Sequence, residues 1–222
     1  LQANVLAYHK GKSFEGYFLR VLAACRVGFK EDYSQLTFSI DPGTKKIGLA
    51  TFLDDYYLNS HTFHQRNNLL EKIHEYVRNL QTEGNNSLVL HFKFGEGVRS
   101  LTFDLISKIF SNFTAGNELR VSLIDESKSS KVRICNEHMK RIPKHEASAL
   151  VLASREGIQI TKETYQGMIS EMKAEKRRKK RLKKKQVECN KEETKELKKI
   201  AEGLLKGTLS LSQSLKMTKY VY

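Results

Sequence analysis

Apolar positions are loosely spaced at the start of the chain and become sharply periodic after residue 34. Phe14, Tyr17, Phe18, Val21, Leu22 and Cys25 recur three, four and seven apart, which predicts a short amphipathic helix. From Gln35 the period drops to two: Leu36, Phe38 and Ile40 alternate up to Asp41, and Ile47 to Leu53 is a run of strand formers beyond a Pro42-Gly43 turn. That is the pattern of a hairpin. Tyr56 to Phe63 predicts a third strand, reached through a turn at Asp54 and Asp55.

The period then returns to that of a helix at Leu69, Leu70, Ile73, Tyr76, Val77 and Leu80, a run that stops at Gly84-Asn85-Asn86. Ser87 to Phe94 reads as a buried strand, Leu101 to Phe113 as a second helix ending near Gly116, and Leu119 to Ile124 as a fifth strand. Helical patterns cover approximately 128–140 and 144–156, with Pro143 placed at a helix start. The order β-β-β-α-β-α-β-α predicts an α/β domain over residues 35–160, with a mixed five-stranded sheet flanked by helices. Residues 1–34 form an N-terminal extension that is partly helical. Residues 161–222 form a basic helical C-terminal region: a charged helix through residue 200, then two short helices around Leu204 to Leu215, broken at Gly203 and Gly207.

Composition agrees with one core plus an exposed helical part. The chain has 222 residues, 39% hydrophobic and 29% charged, and carries a net charge of +14. Ten Lys or Arg and one acid lie between Lys173 and Lys185, so nine of those fourteen charges sit in one short tract. Concentrated positive charge attracts a polyanion through counterion release, which makes nucleic acid the expected partner and Lys176, Arg177, Arg178, Lys179, Lys180, Arg181, Lys183, Lys184 and Lys185 the expected backbone contacts. The competing reading of the tract is a solvated helix face. Its lack of an apolar face makes a membrane surface a poor partner.

Three widely spaced cysteines, Cys25, Cys135 and Cys189, support neither a disulfide framework nor a structural zinc. With no apolar run of about 20 residues and no signal-type N-terminus, the expectation is a soluble, cytoplasmic protein.

Asp41 closes an apolar strand and is followed at once by a tight turn, a position that lifts a carboxylate to the sheet edge. The stretch Asp41-Pro42-Gly43-Thr44-Lys45-Lys46-Ile47-Gly48-Leu49-Ala50 resembles the opening motif of the RuvC and YqgF branch of the RNase H-like superfamily, the Holliday junction resolvases. Two later stretches are similar to that family's motifs and come in the same order. Leu123-Ile124-Asp125-Glu126-Ser127 looks like the acidic pair after its last core strand, and His145-Glu146-Ala147-Ser148 resembles its closing helix. The chain departs from the pattern at Ser148, where such enzymes carry a second Asp, and Glu96 is a loose counterpart of their mid-sheet Glu.

The resemblance implies an RNase H-like fold and phosphodiester hydrolysis assisted by Mg2+ or Mn2+. Hard cations of this kind take carboxylate oxygens and leave positions open for substrate. It implies Asp41, Asp125, Glu96 and His145 as metal ligands, His145 alternatively as a proton carrier, and Glu146 as a substitute for the missing acid. Lys45 and Lys46 would then touch phosphate. Each residue also has a plainer reading: Asp41 as a turn former, Asp125 as a helix cap, Glu96 as a solvated loop acid, and His145 and Glu146 as residues favoured by the helix dipole. His61 and His64, three apart on a strand, are expected to face opposite sides.

Three functions compete. The first is a metal-dependent nuclease acting on structured or branched DNA, for which a two-fold-symmetric junction would favour a homodimer. The second is a non-catalytic nucleic-acid binder with a degenerate site. The third is an actin-like or sugar-kinase phosphotransferase, which needs two related halves and a second glycine-rich phosphate turn, and no second Asp-x-Gly-Thr appears in this sequence.

Overall fold

The computed structural model describes residues 6–8, 10–11, 13–30, 32–81, 88–113, 118–126, 132–135, 141–169 and 191–218. Its elements are α1 (Phe14–Val27), β1 (Gln35–Pro42), β2 (Ile47–Leu53), β3 (Tyr56–Phe63), α2 (Arg66–Leu80), β4 (Val89–Gly95), α3 (Arg99–Phe113), β5 (Leu119–Ile124), α4 (Lys144–Ala153), β6 (Ile158–Gln159), α5 (162–169), α6 (Lys191–Lys206) and α7 (Leu211–Thr218). The basic tract and Cys189 lie outside the described residues.

The class is α/β, with one mixed sheet in the order β3-β2-β1-β4-β5-β6. Strands β1, β4 and β5 run parallel, whereas β2, β3 and β6 are antiparallel to their neighbours. The sheet therefore has six strands where the sequence pattern predicts five. Strand β6 pairs only Ser122 with Gln159 and Leu123 with Ile158, and two residues are too few to show an alternation.

Strand alternation splits the sheet into unlike faces. Leu36, Phe38 and Ile40 of β1 join Leu90, Phe92 and Phe94 of β4 in the core under α2 and α3, with Phe38 and Phe92 stacked 5.1 Å apart. Helix α1 contributes Leu19 and Ala23 to that core, and Tyr165 of α5 packs on Phe103 and Phe110 of α3. The opposite face is polar along its middle. It is held to α4 at one-turn intervals: Asp41 bonds His145, Ser39 donates to the Ala149 carbonyl, and Lys93 donates to the Ala153 carbonyl. Outside that stripe, Ala50 and Phe52 share a second core with α4 and with Leu197, Ile200, Ala201, Leu204 and Leu205 of α6.

Two local features register these layers. The β2–β3 turn places Asp54 and Asp55 at φ 44° and 72°, as a two-residue hairpin requires. Asp54 accepts from the backbone of Ser34 and Gln35, and the Asp55 carbonyl accepts from Leu211 N–H at the start of α7. The second feature corrects the expected helix over 128–140. Within its described part, Val132 and Ile134 are buried on either side of exposed Arg133, and Cys135 bridges to Arg141. That is a period of two, so the segment 132–135 is extended, and the separately expected helix after Pro143 is α4, from Lys144.

Candidate functional site

The C-terminal ends of the parallel strands define an acidic edge. Asp41 stands at the end of β1, Glu96 follows β4, and Asp125 and Glu126 follow β5. In an α/β sheet this edge, where neighbouring connections leave toward opposite faces, is where ligands ordinarily bind.

Asp41 is the best-anchored of these groups. It is 8% exposed, and its Oδ2 lies 2.8 Å from His145 Nδ1. Burial pushes its carboxyl above the usual range, while His145, Lys144 and a hydrogen bond from Ser148 pull the other way. The contact depends on two glycines. A Cβ on Gly43 would lie 2.6 Å from His145 Cε1, and one on Gly48 would lie 2.0 Å from the His145 carbonyl oxygen. Gly43 belongs to the hairpin turn, whereas Gly48 is a strand residue paired with Asp41 that lets the first turn of α4 settle onto β2.

Glu126 is the member of the Asp125-Glu126 pair that the family resemblance does not assign as a ligand. Its carboxylate lies against the end of β4, where a Cβ on Gly95 would be 2.0 Å from Oε1 and one on Gly97 would be 1.9 Å from Oε2. The Gly97 N–H donates to it. Burial raises its pKa, and the charges of Asp41, Asp125 and Glu96 raise it further, so these four carboxylates share one field. The Gly95-x-Gly97 spacing was the available signal: two missing side chains at a strand end leave room for one from elsewhere.

The remaining residues sit as follows. Asp125 is exposed, and its backbone carbonyl accepts from Arg155 at 2.6 Å. Glu96 is on the rim, with Arg99 3.4 Å from its Oε2. Glu146 is buried but turned toward β3, accepting from Ser60 at 2.6 Å and Thr62 at 2.7 Å. Lys45 and Lys46 are exposed in the turn after β1. Lys176 through Lys185 lie outside the described residues. His61 bonds Tyr76 at 2.8 Å and is held below the usual imidazole range by burial, while His64 is exposed beyond the strand.

Among the described residues no three His, Cys, Asp or Glu side chains are gathered closely enough to enclose a metal ion. Two desolvated carboxylates in one field are nonetheless hard-oxygen donors of the kind a divalent cation compensates, and Mg2+ is commonly held by one or two carboxylates plus water and substrate phosphate. No helix among the described residues is long and apolar enough to cross a membrane. No family model matches the chain, and no curated protein matches it in sequence.

Proposed function

We propose that this chain is an RNase H-like, Mg2+- or Mn2+-dependent nuclease acting on structured or branched DNA in the manner of a Holliday junction resolvase. The observation that carries the reading is the placing of Asp41, bonded to His145, with Glu96, Asp125 and Glu126 at the ends of the three parallel strands. The strand order, with the hairpin strands β2 and β3 beside β1 and the parallel strands on its other side, supports the fold assignment.

In this reading Asp41 and Glu126 would hold the cation, with Glu96 and Asp125 nearby at the same strand ends. The bound ion would supply charge neutralisation and a water of lowered pKa at the phosphodiester. With Asp41 ionised, the His145 hydrogen sits on Nδ1, and Nε2 is the nitrogen left to take a proton. Ser148 and the first turn of α4 keep Asp41 oriented toward that imidazole. Glu146 orients β3 against α4 through Ser60 and Thr62.

Cleavage of a four-way DNA junction with Mn2+ should fall by about two orders of magnitude or more in Asp41→Asn and in Glu126→Gln. Undiminished cleavage in both would sink the reading. Salt-dependent DNA binding by the wild-type chain with no metal-dependent turnover would favour the alternative, a non-catalytic nucleic-acid binder on the same scaffold.

A further inference from the structure

A concave site of about 350 Å³ lies beside the turn after β1 and is lined by basic side chains from three separate elements. Lys45 comes from the turn, His64 and Arg66 from the junction of β3 with α2, and Lys108 from α3. We infer that this cavity is a phosphate subsite that holds one phosphodiester of a nucleic-acid strand running past Asp41. The inference rests on the nucleic-acid reading given above and adds to it where the strand is gripped.

Three physical features converge on a phosphoryl group. The first is charge: Lys45, Arg66 and Lys108 all border the cavity, and Asp104, the acid bonded to Arg66 at 2.7 Å, forms with it an exposed ion pair that opens at little cost. The second is the backbone. Helix α2 begins at Arg66, its N-cap Gln65 makes no side-chain capping bond, and its first turn carries no acid. The leading N–H groups of a helix have no intrahelical acceptor and point outward with the positive end of the helix dipole, so Arg66 and Asn67 offer donors beside the cations.

The third feature is position. Gly43 lines the cavity on one side and lies against His145 on the other, so a single turn of backbone separates the subsite from the Asp41–His145 pair. A strand bound in the cavity therefore passes close to Asp41 and His145. The volume is at the small end of the range for ligand sites, about 300–1,000 Å³, which suits a phosphate with its sugar.

The test follows the backbone amides of Arg66 and Asn67 by NMR in the full chain while two probes are added separately: a short single-stranded DNA oligonucleotide and inorganic phosphate. Saturable shifts with the oligonucleotide are expected, weakened about fivefold or more in the Lys45→Ala/Lys108→Ala variant, with the salt slope of DNA binding reduced by about one to two charges. Shifts with inorganic phosphate alone would overturn the assignment to a strand, and no shift with either probe would overturn the subsite itself. These readouts need no cleavage: a chain that binds here without cutting fails the nuclease reading and keeps the subsite. A chain that cuts, yet has an unaltered slope and amides in the double variant, does the reverse.

Discussion

Asp41 and Glu126 are costly residues for the fold that contains them. Both carboxyls are pushed above their ordinary values, near 3.8 and 4.5, with burial as the first cause. A group whose folded pKa is raised supports folding below its unfolded value and loses that support as pH rises through the folded value. Asp41→Asn is therefore expected to melt higher than wild type at pH 7, with the gap closing as pH falls through the folded value toward about 4. A thermal scan across pH checks this; a variant that melts lower at pH 7 would refute it. Since a bound cation compensates the same desolvated charge, Mg2+ or Mn2+ should raise the melting temperature of the wild type and leave Asp41→Asn nearly unmoved. Legibility at this scale was uneven. Asp41 stood out because a strand end, a Pro-Gly turn and a resembling motif coincide there. Glu126 did not, because the Gly95-x-Gly97 spacing marks room at the end of β4 but does not say which distant side chain fills it.

Elements are held together here by small residues and a polar stripe. Gly48→Ala would drive a methyl group into the His145 carbonyl, a backbone atom that cannot step aside without moving α4. A loss of about 1–3 kcal/mol in urea unfolding is expected, together with loss of the Asp41–His145 bond. Lys93 makes a different point. It is 3% exposed, donates to the Ala153 carbonyl, and is depressed by burial to about 7. Its stabilising contribution is present above its ordinary value of 10.5 and is lost as pH falls toward 7, so at neutral pH it opposes folding. Lys93→Met should accordingly gain about 1–3 kcal/mol at pH 7, an advantage that shrinks by pH 10. Equal curves at both pH values would show that the amine is not desolvated. Strand β4 was legible as an apolar run, but the polar face of Lys93 was hidden in it, because burial against the end of α4 is a property of two elements at once.

At the scale of the molecule, the C-terminal part divides into a tract that carries charge and helices that carry core. Leu197, Ile200, Leu204, Leu205 and Leu211 are buried in the second core, which they share with α4. At about 1.5–3 kcal/mol each, the five together contribute about 7–15 kcal/mol, comparable to the about 5–15 kcal/mol by which domains are ordinarily stable. A chain ending at residue 190 should thus fail to give a cooperative melt. Replacing the Lys and Arg of 173–185 by Gln in the full-length chain should lower DNA affinity and its salt slope; an unchanged slope would assign the tract another role. The sequence by itself determined the elements whose period is repeated many times, namely the hairpin strands, the alternating helices and parallel strands, and the strand-end position of Asp41, because local period and turn chemistry act within one segment. The tertiary structure alone decided the sixth strand, the extended 132–135 segment, the turning of Glu146 toward β3, the place of Glu126 over Gly95, and the cationic cavity beside Gly43. Each of those depends on which side chain from a distant segment arrives at a given gap, and that is settled only when the layers pack.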